Sequence, residues 1–285
     1  MRGAQYAPRG PFRVLERRHG LAQIVERGVA VLSCLAEQAK ILYAEAEENN
    51  LGMNEINARF QRWHVCFLCE HEYHGVVKCA LGWACWKTYV GRPEWDWSQT
   101  RFAAITELAN GLGAVNKHEE RIAIIETQLS TLLRVFPDDE GSALDLKHNL
   151  ARCYLLSGRL EEAARLFRLV YARNKVLMGA TYPTTLIAAH QLAYTLNELG
   201  RYDQVKSFVP PLLLYGRKFR LEYAKALYRP AGASRAEVLE AVAIFEDVLC
   251  TLRRVMGPSH PDTLEALGEL DRAYMTLEDY RKFKS

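Results

Sequence analysis

The stretch Leu144–Arg201 repeats itself, and this constrains the chain more than any other feature. Displaced by 42 positions, Leu150-Ala151 falls on Leu192-Ala193, Gly158-Arg159 on Gly200-Arg201, and His148 on His190. Displaced the other way, Leu150-Ala151 falls on Leu108-Ala109. A fixed period of this kind means one supersecondary unit that cannot bury its apolar face alone and stacks on its copies. Within the unit the spacing is helical. Leu146, Leu150, Cys153 and Tyr154 share one face, and Gly158, free to take positive φ, ends that helix. Leu160, Ala163, Ala164, Phe167 and Val170 form the stripe of a second helix, with Glu161, Glu162, Arg165 and Arg168 outside. Small residues at Ala151 and Ala163 let the two backbones approach closely.

Helix, glycine turn and helix at this spacing resemble the tetratricopeptide repeat, whose common form is about 34 residues long. A long second helix ends in Val176-Leu177-Met178-Gly179 and is followed by Tyr182-Pro183-x-Thr185-Leu186. This resembles the subtype found in kinesin light chains. Gly257-Pro-Ser-His260-Pro261-Asp-Thr263-Leu264 repeats the connector in fuller form. The resemblance implies an all-α, right-handed superhelical solenoid, here preceded by a small helical, cysteine-bearing cap.

Taken in order, residues 1–27 are expected to be a basic, poorly ordered tail, with five arginines against Glu16 in the first 18 positions. They lack the apolar core of a secretory signal, and a ragged start of a longer parent is the expected reading. Residues 28–90 form the cap, with helices over Gly28–Asn49, Asn54–Trp63 and Val76–Tyr89. Gly91-Arg92-Pro93-Glu94 marks the joint, and Trp95 and Trp97 are expected to seal it. The repeat array occupies 97–285. Its first repeat runs from about Gln99 to Val135, with Asn116 in the turn slot of Gly158 and Gly200. Pro210-Pro211 falls where the third repeat needs its second helix, so a kinked or shortened element and a break near 210–220 are predicted. A shortened unit at Arg220–Tyr228, a long helix at Ala236–Met256, a final helix at Asp262–Met275 and a fraying tail from Glu278 complete the reading.

The cap holds the densest group of metal-ligating side chains, and three readings stand. Cys66-x2-Cys69-x4-His74-x4-Cys79 has zinc-knuckle spacing, although Glu70 and Tyr73 replace the usual glycines. Alternatively, Gly28–Glu37 with Cys34, followed by Arg62-Trp63-x-x-Cys66-x-Leu-Cys69-x-x-x-Tyr73, resembles the C-terminal half of a RING-variant zinc domain. That resemblance implies ubiquitin-ligase work in an intact domain. This chain departs from it, because Val31 stands where the family has a histidine and residues 1–27 lack the four earlier cysteines. Valine has no lone pair to give. In the third and preferred reading, Cys66 and Cys69 are ordinary thiols held in a helical core. No cofactor is expected, with zinc at Cys34, Cys66, Cys69, His74 and Cys79 as the exception to test.

Composition removes other function classes. A formal charge of +3 over 285 residues does not argue for nucleic acid, and no apolar run is long enough for a bilayer. Seven cysteines, partly within helical patterns, suit a reducing intracellular compartment, cytoplasmic by expectation. There is no P-loop, G-x-S-x-G, H-E-x-x-H or dinucleotide fingerprint. His148 and His190 occupy one slot of consecutive repeats and so mark a shared face rather than a catalytic pair.

In tetratricopeptide proteins the first helix of each repeat lines a concave groove. The resemblance places Asn110, Asp145, His148, Arg152, His190, Tyr194, Asn197, Glu198, Lys225 and Arg272 there. The ninth slot reads Asn110, Arg152, Tyr194, Lys225, Arg272, and three of these are cationic. The expected function is a non-enzymatic protein-interaction module that takes a peptide or partner helix, acidic in character, with neither nucleic acid nor membrane as partner. The alternatives are a ubiquitin ligase or ligase subunit working through the zinc domain, and a fragment with no function of its own. Partner identity and oligomeric state are not encoded legibly.

Overall fold

The computed structural model describes residues 22–91 and 99–282. Among them there is no strand, only an isolated antiparallel bridge between Val65 and Glu72. Everything else regular is helix. The chain divides into two compact units, Met1–Ile124 and Ile125–Ser285.

The first unit contains α1 (Ala22–Glu48), α2 (Met53–Phe60), a 3₁₀ turn (Gln61–Trp63), α3 (Gly75–Tyr89), α4 (Gln99–Ala114) and the start of α5 (His118–Val135). Helix α1 begins at Ala22, ahead of Gly28, so the expected tail boundary at residue 27 is corrected. The rest of that tail, and Trp95 and Trp97, lie outside the described residues. Tyr43, Phe60, Trp63 and Tyr89 form one aromatic core, Tyr43 meeting Phe60 and Tyr89 edge-on at 5.6 and 5.5 Å. Helices α3 and α4 approach through glycine. A methyl on Gly82 would stand 2.6 Å from the Glu107 carbonyl oxygen, and one on Gly111 would stand 2.8 Å from the Cys79 Cα.

The second unit is a stack of helical pairs. It contains the rest of α5, α6 (Glu140–Leu156), α7 (Leu160–Leu177), α8 (Pro183–Glu198), α9 (Tyr202–Phe208), α10 (Arg217–Tyr228), α11 (Arg235–Met256) and α12 (Pro261–Lys282). Helix α6 packs on α7, α7 on α8, α8 on α10, α10 on α11 and α11 on α12. Leu150, Ala151, Cys153, Ala163, Ala164, Phe167 and Val170 are all buried, as the spacing predicts.

The same turn joins α4 to α5, α6 to α7 and α8 to α9. Gly158 and Gly200 have φ of +78° and +70°, and Asn116 takes +58° in the same slot. In each case the next residue's N–H reaches back across the turn: Arg159 to the Tyr154 carbonyl, Arg201 to that of Leu196 and Lys117 to that of Leu112, at 2.8, 2.8 and 3.0 Å. These bonds satisfy carbonyls that the helix end would otherwise leave open.

Two departures from regularity have physical causes. At Pro210-Pro211 the missing N–H groups end α9, and the chain continues as a 3₁₀ turn over Pro210–Tyr215. Val205, Val209, Leu212 and Phe219 stay buried through this stretch, so apolar contact continues from α8 and α9 into α10. At the C-terminus α12 runs on to Lys282, which corrects the expected end at Met275 and tail from Glu278. Ala273 and Leu277, one helical turn apart, are buried against α11 and hold the extension.

Candidate protein-interaction face

The first helices of the pairs in the second unit are α6, α8, α10 and α12, and the structure distributes the expected groove residues unevenly over them. On α6, Asp145 and Arg152 are exposed, and Arg152 forms no ion pair among the described residues. His148 is half-buried, edge-on to Phe167 at 5.4 Å. Burial, and then the neighbouring Arg152 charge, pull its pKa down to about 4. His190 repeats the arrangement on α8, edge-on to Phe219 at 6.1 Å and likewise held at about 4 by burial and then by Lys218 and Lys225. Both imidazoles are neutral packing groups at pH 7. Asn110 is half-buried on α4, in the other unit.

Lys225 requires a correction. Its side chain is only 4% exposed, and its ammonium donates to Glu222 and Glu265, both at 3.1 Å. Tyr194 lies beneath it, 5.7 Å from ring centre to Nζ. Burial disfavours the ammonium, but the two carboxylates outweigh burial and hold its pKa above the ordinary lysine value. Asn197 is buried as well, and its amide donates to the Glu222 carboxylate at 2.8 Å and to the Glu222 carbonyl at 2.9 Å. Asn197 is closed to a partner, and Lys225 lines the cleft described below but is already paired with Glu222 and Glu265. The i, i+3 spacing of Glu222 and Lys225 was a readable signal for pairing, whereas Glu265, from the next helical pair, was not.

The remaining expected residues join a second cluster. Glu269, 3% exposed, accepts from the Tyr228 hydroxyl at 2.5 Å, from Arg229 at 2.9 Å and from Arg272. Arg229 also donates to Glu198 at 3.2 Å. Glu198 and Arg272 therefore reach solvent but are engaged within the fold. Beside these clusters a cleft of about 220 Å³ opens between α8, α10 and α12. His190, Tyr194 and Leu221 are part of its wall, and Arg217 and Lys218 stand at its α10 edge. Arg217 lies 3.6 Å from Asp262, while Lys218 is exposed and forms no ion pair among the described residues. Sequence reasoning missed Lys218 because it precedes the shortened repeat as read from Arg220.

The structure does not bring the expected zinc ligands together among the described residues. Among the described residues, no three or more His, Cys, Asp or Glu side chains are grouped to hold a metal. Cys34 is exposed on α1, and Cys79 is buried with Leu108 and Leu112. His74 is the exposed N-cap of α3. Cys66 and Cys69 are free thiols, as read, but they are not in a helical core, and that placement is corrected. They sit on a short reversal in which the Cys66 N–H donates to the His71 carbonyl at 2.9 Å and the Glu70 N–H to the Cys66 carbonyl at 3.0 Å. Glu70 takes φ +57° to close it. The ligands present do not fit zinc, and no role is derived through it.

Tetratricopeptide-repeat family models match residues 142–208 and 220–262, which are α6 to α9 and α10 with α11 and the connector. These helical pairs are tetratricopeptide repeats. Among solved structures, BtubC (BKLC) from P. vanneervenii is similar over 72% of this chain and 85% of its own, with a TM-score of 0.54 and 14% identity, a likeness of fold. A Podosopora anserina protein titled as a kinesin light chain with nearly identical TPR-like repeats matches at 20% identity over 88% of this chain and 90% of its own, with a TM-score of 0.37. No curated protein matches the sequence. Tetratricopeptide repeats support protein–protein interaction, and no described helix is long and apolar enough to cross a membrane.

Proposed function

We propose that this chain is a non-enzymatic interaction module whose α6, α8, α10 and α12 face takes an extended peptide or a partner helix. The observation that carries the reading is the cleft lined by Tyr194 and Leu221 together with Arg217, Lys218, Lys225, Glu222, Asp262 and Glu265, in which Lys218 is the cation that no ion pair among the described residues engages. Such a combination suits an anchor side chain flanked by a carboxylate. The preference for an acidic partner rests on Arg152 and Lys218, because Lys225 and Arg272 are neutralised within the fold. A protein is the expected partner, and nucleic acid is not. Screening a peptide library against wild type and the Arg152→Glu/Lys218→Glu double variant tests this. Acidic peptides should be enriched by the wild type and bind the variant clearly more weakly, with less sensitivity to salt. Selection of basic peptides, or equal binding by both proteins, would remove the assignment.

A further inference from the structure

Cys66 and Cys69 resemble half of a zinc site, yet no third ligand joins them among the described residues. What the fold does provide is two free thiols three positions apart on one exposed turn. Cys69 is exposed and Cys66 half-buried, and both are free thiols. The Glu70 N–H donates to the Cys66 carbonyl at 3.0 Å and closes the turn that carries both thiols. The reversal is fixed from both sides by the Val65–Glu72 bridge and by the Tyr73 N–H donating to the His64 carbonyl at 2.8 Å. A turn of four residues brings its end Cα atoms within about 7 Å, close to the span a disulfide requires.

We propose that Cys66 and Cys69 form a reversible dithiol that closes to an intraloop disulfide by exchange with a small disulfide of the glutathione class. The Cys66 thiolate attacks glutathione disulfide, forms a mixed disulfide and releases one glutathione. The Cys69 thiolate then attacks the Cys66 sulfur, forms the Cys66–Cys69 bond and expels the second glutathione. Two protein thiols are oxidised, one glutathione disulfide is reduced, and the two thiol protons end on the two released glutathiones. The second step is intramolecular, so it outruns the reverse attack by free glutathione. Cys34 and Cys250 are also exposed but are not grouped with Cys66 and Cys69, and they serve as internal references.

The test uses the whole chain in glutathione buffers stepped from reduced to disulfide-rich, followed by acid quench, alkylation and trypsin. Cleavage after Arg62 and Lys78 isolates a peptide holding Cys66 and Cys69 and no other cysteine. The expected result is that this peptide loses two hydrogen atoms and escapes alkylation. In the same buffers, the peptides with Cys34 and Cys250 should carry glutathione or remain thiols. In Cys69→Ser, Cys66 should stop at the mixed disulfide. Alkylation of both thiols at every ratio would overturn the proposal, as would one glutathione on each. Stoichiometric zinc in the purified protein that is released by Cys69→Ser would overturn it equally.

Discussion

Helix α6 and the pair α10–α12 present the same slots of the same repeat, yet the slot cation is free on one and tied to neighbouring acids on the other. Arg152 on α6 is exposed and without an ion pair among the described residues, while Lys225 on α10 is buried between Glu222 and Glu265. The difference teaches that a repeat slot fixes direction but not availability. Whether a groove cation can meet a partner depends on which acid the neighbouring helical pair places opposite it. A buried pair also contributes differently from a surface charge. Its Coulombic gain is offset by desolvation, so its removal as a unit costs little, whereas removal of one member strands the other.

That asymmetry sets the largest expected effect. Glu222→Ala should destabilise the chain by about 3–5 kcal/mol, because Lys225 and the Asn197 amide lose their buried acceptor. Replacing the pair together, as Glu222→Leu/Lys225→Met, should recover most of that loss. Arg152→Ala on α6 should change stability by less than about 0.5 kcal/mol. Urea midpoints of the three variants measure all of this. If Glu222→Ala behaved like Arg152→Ala, the two slots would not differ in the way described.

Packing around α6 should still be as demanding as anywhere. Phe167 is fully buried and supports His148 edge-on. Phe167→Ala is expected to cost about 3–5 kcal/mol and Leu150→Ala about 2–5. Values under about 1 kcal/mol at both sites would mean that the helical phase is misplaced. A smaller effect is expected at the connector before α12, where the Thr263 hydroxyl donates to the Gly257 carbonyl at 2.9 Å. Thr263→Val keeps the shape and loses the bond, for about 1 kcal/mol. Thr185, buried in the same slot in the first turn of α8, shows no such bond in the structure, so Thr185→Val should cost less. Equal losses at the two threonines would show that the connectors do not differ.

The parts of this fold legible in the sequence are those governed by local rules. Gly158, Gly200 and Asn116 announce turns because few residues tolerate positive φ, and the 42-residue displacement announces stacking. Pro210-Pro211 announces the end of a helix. What was not legible depends on partners distant in sequence. The burial of Lys225 needs Glu265, and the length of α12 needs α11 to receive Leu277. The cysteine hairpin hid for another reason. C-x2-C suggests a ligand pair, but whether other ligands converge depends on the fold, and among the described residues no third ligand joins this pair.

A pH-dependent effect concerns the two histidines that share a slot on α6 and α8. Each is held neutral, with a pKa of about 4, against about 6.5 in an unfolded chain. Between those values the unfolded state binds more protons, so stability rises with pH there. The contribution is present in full above about pH 6.5 and is lost as pH falls toward about 4. In both cases burial is the leading cause and neighbouring cations come second: Arg152 for His148, Lys218 and Lys225 for His190. Burial against Phe167 and Phe219 should not respond to salt, whereas repulsion from cations should weaken as the screening length shrinks to about 3 Å at 1 M. The urea midpoint should therefore drop between pH 7 and 5 at both low and high salt. The drop should be smaller in a His148→Phe/His190→Phe variant, with similar shares from each single change. If 1 M salt abolished the share of His190 but not that of His148, cations rather than burial would govern the slot on α8, and the slot would behave differently on the two helices.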